Sequence, residues 1–126
     1  FLGDLAFGRG SHDTDYWLKK LKGKIIFLKG NHDKSKKINF LQEYILKYKG
    51  IKFRLQHHPE NCPKSWNGWL IHGHHHNNKL AEFPFINGKK KRINVGMELI
   101  NYTPLDIDTL FEMDFEKIDP METLGK

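Results

Sequence analysis

At 126 residues, 38% apolar and 13% aromatic, the chain has material for one small hydrophobic core and too much for a disordered segment. No apolar run approaches the roughly 18 residues a membrane-spanning helix needs, and no signal-peptide pattern is present. The single Cys62 excludes an internal disulfide and a cysteine-rich zinc module and suits a reducing, cytoplasmic setting.

In chain order, Phe1-Leu2 followed by Gly3-Asp4 reads as the end of a strand entering a turn, so further residues are expected before Phe1 in the native protein. Gly8-Arg9-Gly10-Ser11 is a loop. A short helix follows, capped by Ser11, Asp13 or Thr14, with Tyr16, Trp17, Leu18 and Leu21 as its apolar face and Gly23 as its stop. Residues 24–29 form a continuous β-type run, expected to be a strand covered on both faces. It stops at Gly30-Asn31-His32-Asp33. Ile38, Leu41, Tyr44, Ile45 and Tyr48 recur at helical spacing and predict a second helix over 36–48, ended by Gly50. Ile51, Phe53 and Leu55 alternate in a strand over Ile51–Gln56, which stops at His57-His58-Pro59.

Residues 60–68 are loop. Trp69–His72 is a buried strand closed by Gly73-His74-His75-His76. Residues 83–86 and 92–95 flank Asn87-Gly88 as a hairpin with a lysine-rich return. A helix over about 105–112 completes a single domain of about 112 residues, and the acidic tail over 113–126 is expected to fray. There are no internal repeats. Strands alternating with helices predict an α/β fold.

The formal charge of +6 is unevenly spread. Residues 1–97 carry 19 Lys/Arg against 7 Asp/Glu, and residues 98–126 carry 2 against 8. A basic body with an acidic end suits an anionic partner, either phosphate esters or nucleic acid, although solvated surface lysine accounts for many of these charges.

Four times a strand ends in side chains that ligate metals: Asp4 after Gly3, Asn31 and His32 after Gly30, His57 before Pro59, and His74 and His76 after Gly73. Ligand sites in layered α/β folds form where loops leave the carboxyl ends of strands. The donors are carboxylate, amide and imidazole with no thiolate, which favours manganese, iron, zinc or cobalt over a purely structural zinc. Singly, Gly-Asp or His-x-Pro is an ordinary turn. The order of all four is what carries information.

That order, Gly3-Asp4, Gly30-Asn31-His32-Asp33, His57-x-Pro59 and Gly73-His74-x-His76, resembles the calcineurin-like metallophosphoesterase superfamily. The trailing Ile93-Asn94-Val95-Gly96-Met97-Glu98 and Asn101-Tyr102-x-Pro104 resemble its small bacterial, archaeal and phage phosphoesterase branch. The resemblance runs from Gly3 to about Leu110. It implies a β-sandwich flanked by helices in four αββα layers, here N-terminally truncated, and a dinuclear centre of two divalent transition metals (Mn, Fe, Zn, Co or Ni).

By position, the resemblance makes Asp4 the bridging carboxylate. Asn31, His57 and His74 join it at the second metal, and His76 belongs to the first. Asn31 also contacts the phosphate. His32 is the substrate-side catalytic group that assists the leaving group, while a metal-bridging hydroxide attacks phosphorus. The superfamily's opening Asp-x-His element has no counterpart in these residues, so the second site is expected to be the better held. The acidic partner that many relatives give the catalytic histidine falls at Phe7. His58, His72 and His75 are expected to be structural or peripheral, and His12 solvated near a helix start.

The reading is therefore a metal-dependent phosphomono- or phosphodiesterase, with nucleotides and nucleic acid among its substrate classes and no membrane partner. Two alternatives stand beside it. One is a truncated, weakly active or inactive relative that keeps one metal. The other is a nucleic-acid-binding module using Lys89-Lys90-Lys91-Arg92 and the lysines of 34–37, although no aromatic stacking array accompanies that run.

Overall fold

A computed structural model describes residues 1–4, 12–36 and 38–125; the loop expected over Gly8–Ser11, Phe7 and Lys37 lie outside the described residues. The architecture is α/β, with helices α1 (Thr14–Lys20) and α2 (Ile107–Glu112) and a five-stranded mixed sheet. Its strands are β1 (Tyr44–Tyr48), β2 (Ile51–Gln56), β3 (Trp69–His72), β4 (Ile86–Asn87) and β5 (Arg92–Asn94), in the spatial order β1-β2-β3-β5-β4.

β2 and β3 fall where the sequence patterns put them. All four residues of β3 are buried, as a continuous apolar run at the sheet centre requires. β2, β3 and β5 are mutually parallel, with Gln56 opposite His72 and His72 opposite Asn94. Three strands therefore release their chains at the same rim. The hairpins β1–β2 and β4–β5 are antiparallel and close the two edges.

Phe53, Phe85, Ile86, Ile93 and Leu99 are fully excluded from solvent, and Trp69, Leu110 and Phe115 nearly so. The Asp106 carboxylate caps α2 by accepting from the Asp108 N–H at 2.9 Å. Asp13 caps α1 in the same way through the Tyr16 N–H, at 3.0 Å. No helix among the described residues is long and apolar enough to cross a membrane.

Three expectations are corrected. The helix predicted over 36–48 does not form; its last five residues are β1, paired with β2 in register Tyr44↔Leu55 through Tyr48↔Ile51. Lys49 (φ 48°) and Gly50 (φ 80°) are both left-handed, which is the backbone of a two-residue hairpin turn whose twist matches its strands. The inward positions 44, 46 and 48 alternate with the exposed 45 and 47, so the segment satisfies a period of two as well as one of 3.6.

Residues 24–29 are extended but form no full strand. Leu28 N–H donates to Phe1 C=O (2.8 Å), and Lys29 N–H to Leu41 C=O (2.9 Å). Only Leu28 is buried, and Ile26 remains 41% exposed, so the expected cover on both faces is not found among the described residues.

Residues 113–125 do not fray. Phe115 is buried against Phe53 and Trp69, and Ile86 and Met121 exchange paired backbone hydrogen bonds of 3.0 Å. The Leu124 N–H donates to Leu99 C=O at 2.8 Å. The acidic side chains of this segment sit on a backbone that the core holds in place.

Candidate metal centre

The loops after β2 and β3 reach the rim side by side, and Gly73 N–H donates to His57 C=O at 3.1 Å. Two further loops, at Gly3-Asp4 and Gly30–Asp33, pack into the same corner at backbone contact. A Cβ at Gly3, whose φ is 102°, would lie 2.6 Å from both Gly30 N and His57 Nδ1. A Cβ at Gly30 would lie 2.2 Å from Asp4 Oδ1 and 2.4 Å from Asp4 N. Glycine is required at both places because the chains touch there.

Buried Asp33 ties the two loops together: its Oδ2 accepts from Asp4 N–H (2.7 Å) and Gly30 N–H (2.8 Å). The Asp4 carboxylate accepts from His32 N–H through Oδ1 (2.9 Å), which leaves Oδ2 directed toward His57.

Three polar atoms approach the same nitrogen, His57 Nε2. His57 Nε2 lies 3.0 Å from Asn31 Oδ1, 3.2 Å from Asp4 Oδ2 and 3.3 Å from His74 Nδ1. The other His57 nitrogen, Nδ1, lies 2.7 Å from Leu2 C=O. A carbonyl only accepts, so Nδ1 carries the proton, and in the neutral ring Nε2 presents a bare lone pair. Carboxylate, amide oxygen and imidazole nitrogen thus face one another, which is repulsive unless a shared proton or a cation sits among them.

The spacings suit a cation. Two donors each about 2.1 Å from one ion are about 3.0 Å apart at a right angle and about 3.4 Å apart at the tetrahedral angle. The donor set, two oxygens and two imidazoles, fits a borderline divalent transition metal.

His58 joins the group. The ligating atoms of His57, His58 and His74 all lie within 4.8 Å of one another, and the His58 and His74 rings are 4.0 Å apart. Burial, then the neighbouring imidazoles, holds His74 below the usual histidine range, and burial followed by His57 does the same for His58. Both shifts favour the neutral form, which is the ligating form. His74 also has φ 66°, a conformation rare outside glycine and concentrated at functional sites.

Asp4, Asn31, His57 and His74 are therefore brought together. His32 is next to them through its backbone, and its residue is exposed. His76 stands apart: 57% of its side chain is exposed, its Nδ1 pairs with Glu98 at 2.9 Å, and among the described residues it hydrogen-bonds to none of the other four.

His72 is buried, its Nδ1 lies 3.0 Å from Gly73 C=O, and burial pushes its pKa down to about 4, so it is a neutral core residue. His75 lies flat on Phe83 at 3.7 Å and hydrogen-bonds Glu60. Exposed His12 stacks on Tyr16 at 3.6 Å.

Sequence reasoning passed over three participants. His58, expected to be structural or peripheral, lies among the ligating atoms of His57 and His74. Asp33 closes the Gly-Asn-His-Asp motif, and a carboxylate two residues after Asn31 is the visible signal for its role as the clamp between loops. Asn94 is fully buried, donating to His75 C=O (2.9 Å) and Phe83 C=O (3.1 Å) and accepting from Gly96 N–H (3.0 Å), so it anchors the histidine loop to β5.

Over 116 residues, 90% of the chain, the sequence is 42% identical to an uncharacterized protein of Methanocaldococcus jannaschii. The chain spans 63% of that relative's length. No protein-family model and no solved structure matches the chain.

Proposed function

We propose that this chain is the metal-binding part of a phosphoric ester hydrolase of the calcineurin-like kind. The observation that carries the reading is the convergence of Asp4, Asn31 and His74 on the lone pair of His57 Nε2, within 3.0–3.3 Å. In this reading Asp4, Asn31, His57 and His74 hold one divalent transition metal, and Asp4 and His76 contribute to a second. A metal held there supplies Lewis acidity toward phosphoryl oxygens and a water of lowered pKa.

The remaining chemistry belongs to the chain. Asn31 turns its oxygen toward the cluster, so its amide hydrogens are available to a phosphoryl oxygen. His32 is fixed at its backbone to Asp4 and acts as the proton donor to the departing alkoxide. Buried Asp33 keeps the Asp4 and Gly30 loops in register. The proposal extends to the fold: the mixed sheet is compatible with one half of a four-layer αββα sandwich. It extends also to location, with the cytoplasm as the compartment.

One observation favours a second reading. His76 is engaged by Glu98 away from the other ligands, which suits a relative with one metal and weak turnover. For the nucleic-acid reading the support is thinner, since Lys89 is 87% exposed and faces Asp119 at 3.6 Å, as in a solvated turn.

The test is hydrolysis of bis(p-nitrophenyl) phosphate by manganese-loaded protein. His57→Ala should lose metal and activity together. His32→Ala should keep its metal and lose about 10²–10⁴-fold in turnover. Metal lost in His32→Ala, or activity kept in His57→Ala, would contradict the assignment.

A further inference from the structure

β2 turns Arg54 and Gln56 to the face opposite buried Phe53, because alternate residues of a strand share a face. There they border a cleft of about 90 Å³ whose wall includes His57 and His58, so it opens directly beside the metal cluster. Lys29 and Arg54 supply two cations to it, Glu43 supplies one carboxylate, and Gln42 and Asn61 supply amides.

The Arg54 guanidinium is held ready. Its Nε donates to Gln56 Oε1 at 2.6 Å, the Gln56 amide donates in turn to His58 C=O, and the guanidinium carbon lies 6.0 Å from the centre of the Trp66 ring. Only 15% of the side chain is exposed. Its contact with Glu43 is loose, at 3.9 Å to a carboxylate 45% exposed, so its outer N–H groups are left for another acceptor. Among the described residues the exposed Lys29 ammonium has no ion-pair partner.

A preorganised guanidinium with spare donors, beside a second cation, matches a phosphate in charge and geometry. The hydrogen-bond chain Arg54–Gln56–His58 fixes that guanidinium relative to the turn carrying the histidines.

We infer that this cleft is a subsite for a second phosphate, so that the substrate class is a phosphoester bearing a further phosphate group. The inference rests on the phosphoester reading and narrows it. The reacting phosphate lies at the cluster of Asp4, Asn31, His57 and His74, and the second is gripped by Arg54 and Lys29. Glu43 is the counter-charge that the incoming phosphate displaces.

The test is calorimetric binding of α,ω-alkanediol bisphosphates of three to five carbons, each against its alkyl monophosphate. The proteins are the zinc-loaded chain, the chain stripped by chelator and dialysed, and the variants Arg54→Gln and Lys29→Gln. The best bisphosphate should bind the loaded chain at least about tenfold tighter than its monophosphate, and each variant should remove most of that advantage with zinc content unchanged. Equal binding of the two ligand types, or an advantage that survives Arg54→Gln, would overturn the subsite.

If the chain retains no zinc, the metal reading fails on that result alone. The stripped arm then decides the subsite: bisphosphate binding that falls in Arg54→Gln supports it, and absent or Arg54-independent binding overturns it.

Discussion

Gly30 and Gly73 look alike in the sequence, each closing a strand and opening a ligand loop. Their surroundings differ. A Cβ on Gly30 would collide with the backbone and carboxylate of Asp4, whereas a Cβ on Gly73 meets nothing nearer than 3.8 Å. Gly30→Ala should therefore lower stability by about 1–3 kcal/mol and weaken metal binding about tenfold or more, by displacing Asp4. Gly73→Ala should change stability by less than about 0.5 kcal/mol. Thermal melts and zinc titration of the two variants check the contrast, and equal effects would mean that the loop contact at Gly30 is not what positions Asp4. At this scale the candidate ligands were legible, since carboxylate, amide and imidazole beside Gly or Pro turns are visible as letters. The sequence did not show which partners hold them, because the Asp33–Asp4 hydrogen bond and the approach of Gly3 to Gly30 join residues 29 and 27 positions apart.

Among the elements, β2 and β3 were legible because each carries an unambiguous apolar pattern bounded by Gly or Pro. β1 was not, because Tyr44, Ile45 and Tyr48 fit a period of 3.6 while Tyr44, Leu46 and Tyr48 fit a period of two, and the Lys49-Gly50 turn decides between them. That turn also sets up a clasp between β1 and α2: Tyr48 Oη donates to Asp108, and Lys49 Nζ lies 3.1 Å from the same carboxylate. The Tyr48 hydrogen bond, then the Lys49 contact, holds the Asp108 carboxyl below its usual range, while the same hydrogen bond raises the Tyr48 phenol. A depressed carboxyl contributes stability above its unfolded pKa and loses it as pH falls through the lower folded value. Tyr48→Phe should therefore destabilise at pH 7 and less so near pH 2. Melts at the two pH values test this, and an equal loss at both would show that the carboxylate is not the partner that matters.

Across the whole molecule, strand order and direction were out of reach of the sequence. Nothing local says that β5 lies between β3 and β4, or that β2, β3 and β5 run parallel. Yet that arrangement is what brings the ends of β2 and β3 to one rim and lets β5 anchor the histidine loop after β3 through Asn94. The last residues differ from expectation for a related reason. Their acidic composition suggested a solvated tail, but Phe115, Met121 and Leu124 are spaced to meet the core and the edge of β4. Phe115→Ala should cost about 3–5 kcal/mol, as for a fully enclosed aromatic, and denaturant unfolding measures it directly. A loss below about 1 kcal/mol would restore the picture of a loosely attached end.

The most direct test of the metal centre is X-ray absorption of the zinc-loaded chain, with zinc content measured after dialysis. The account predicts retained zinc in a nitrogen and oxygen shell at about 2.0–2.2 Å with imidazole scattering, lost in His57→Ala and weakened in Asp4→Asn. Zinc that washes out of the native chain, or that keeps the same shell when His57 is removed, would contradict it.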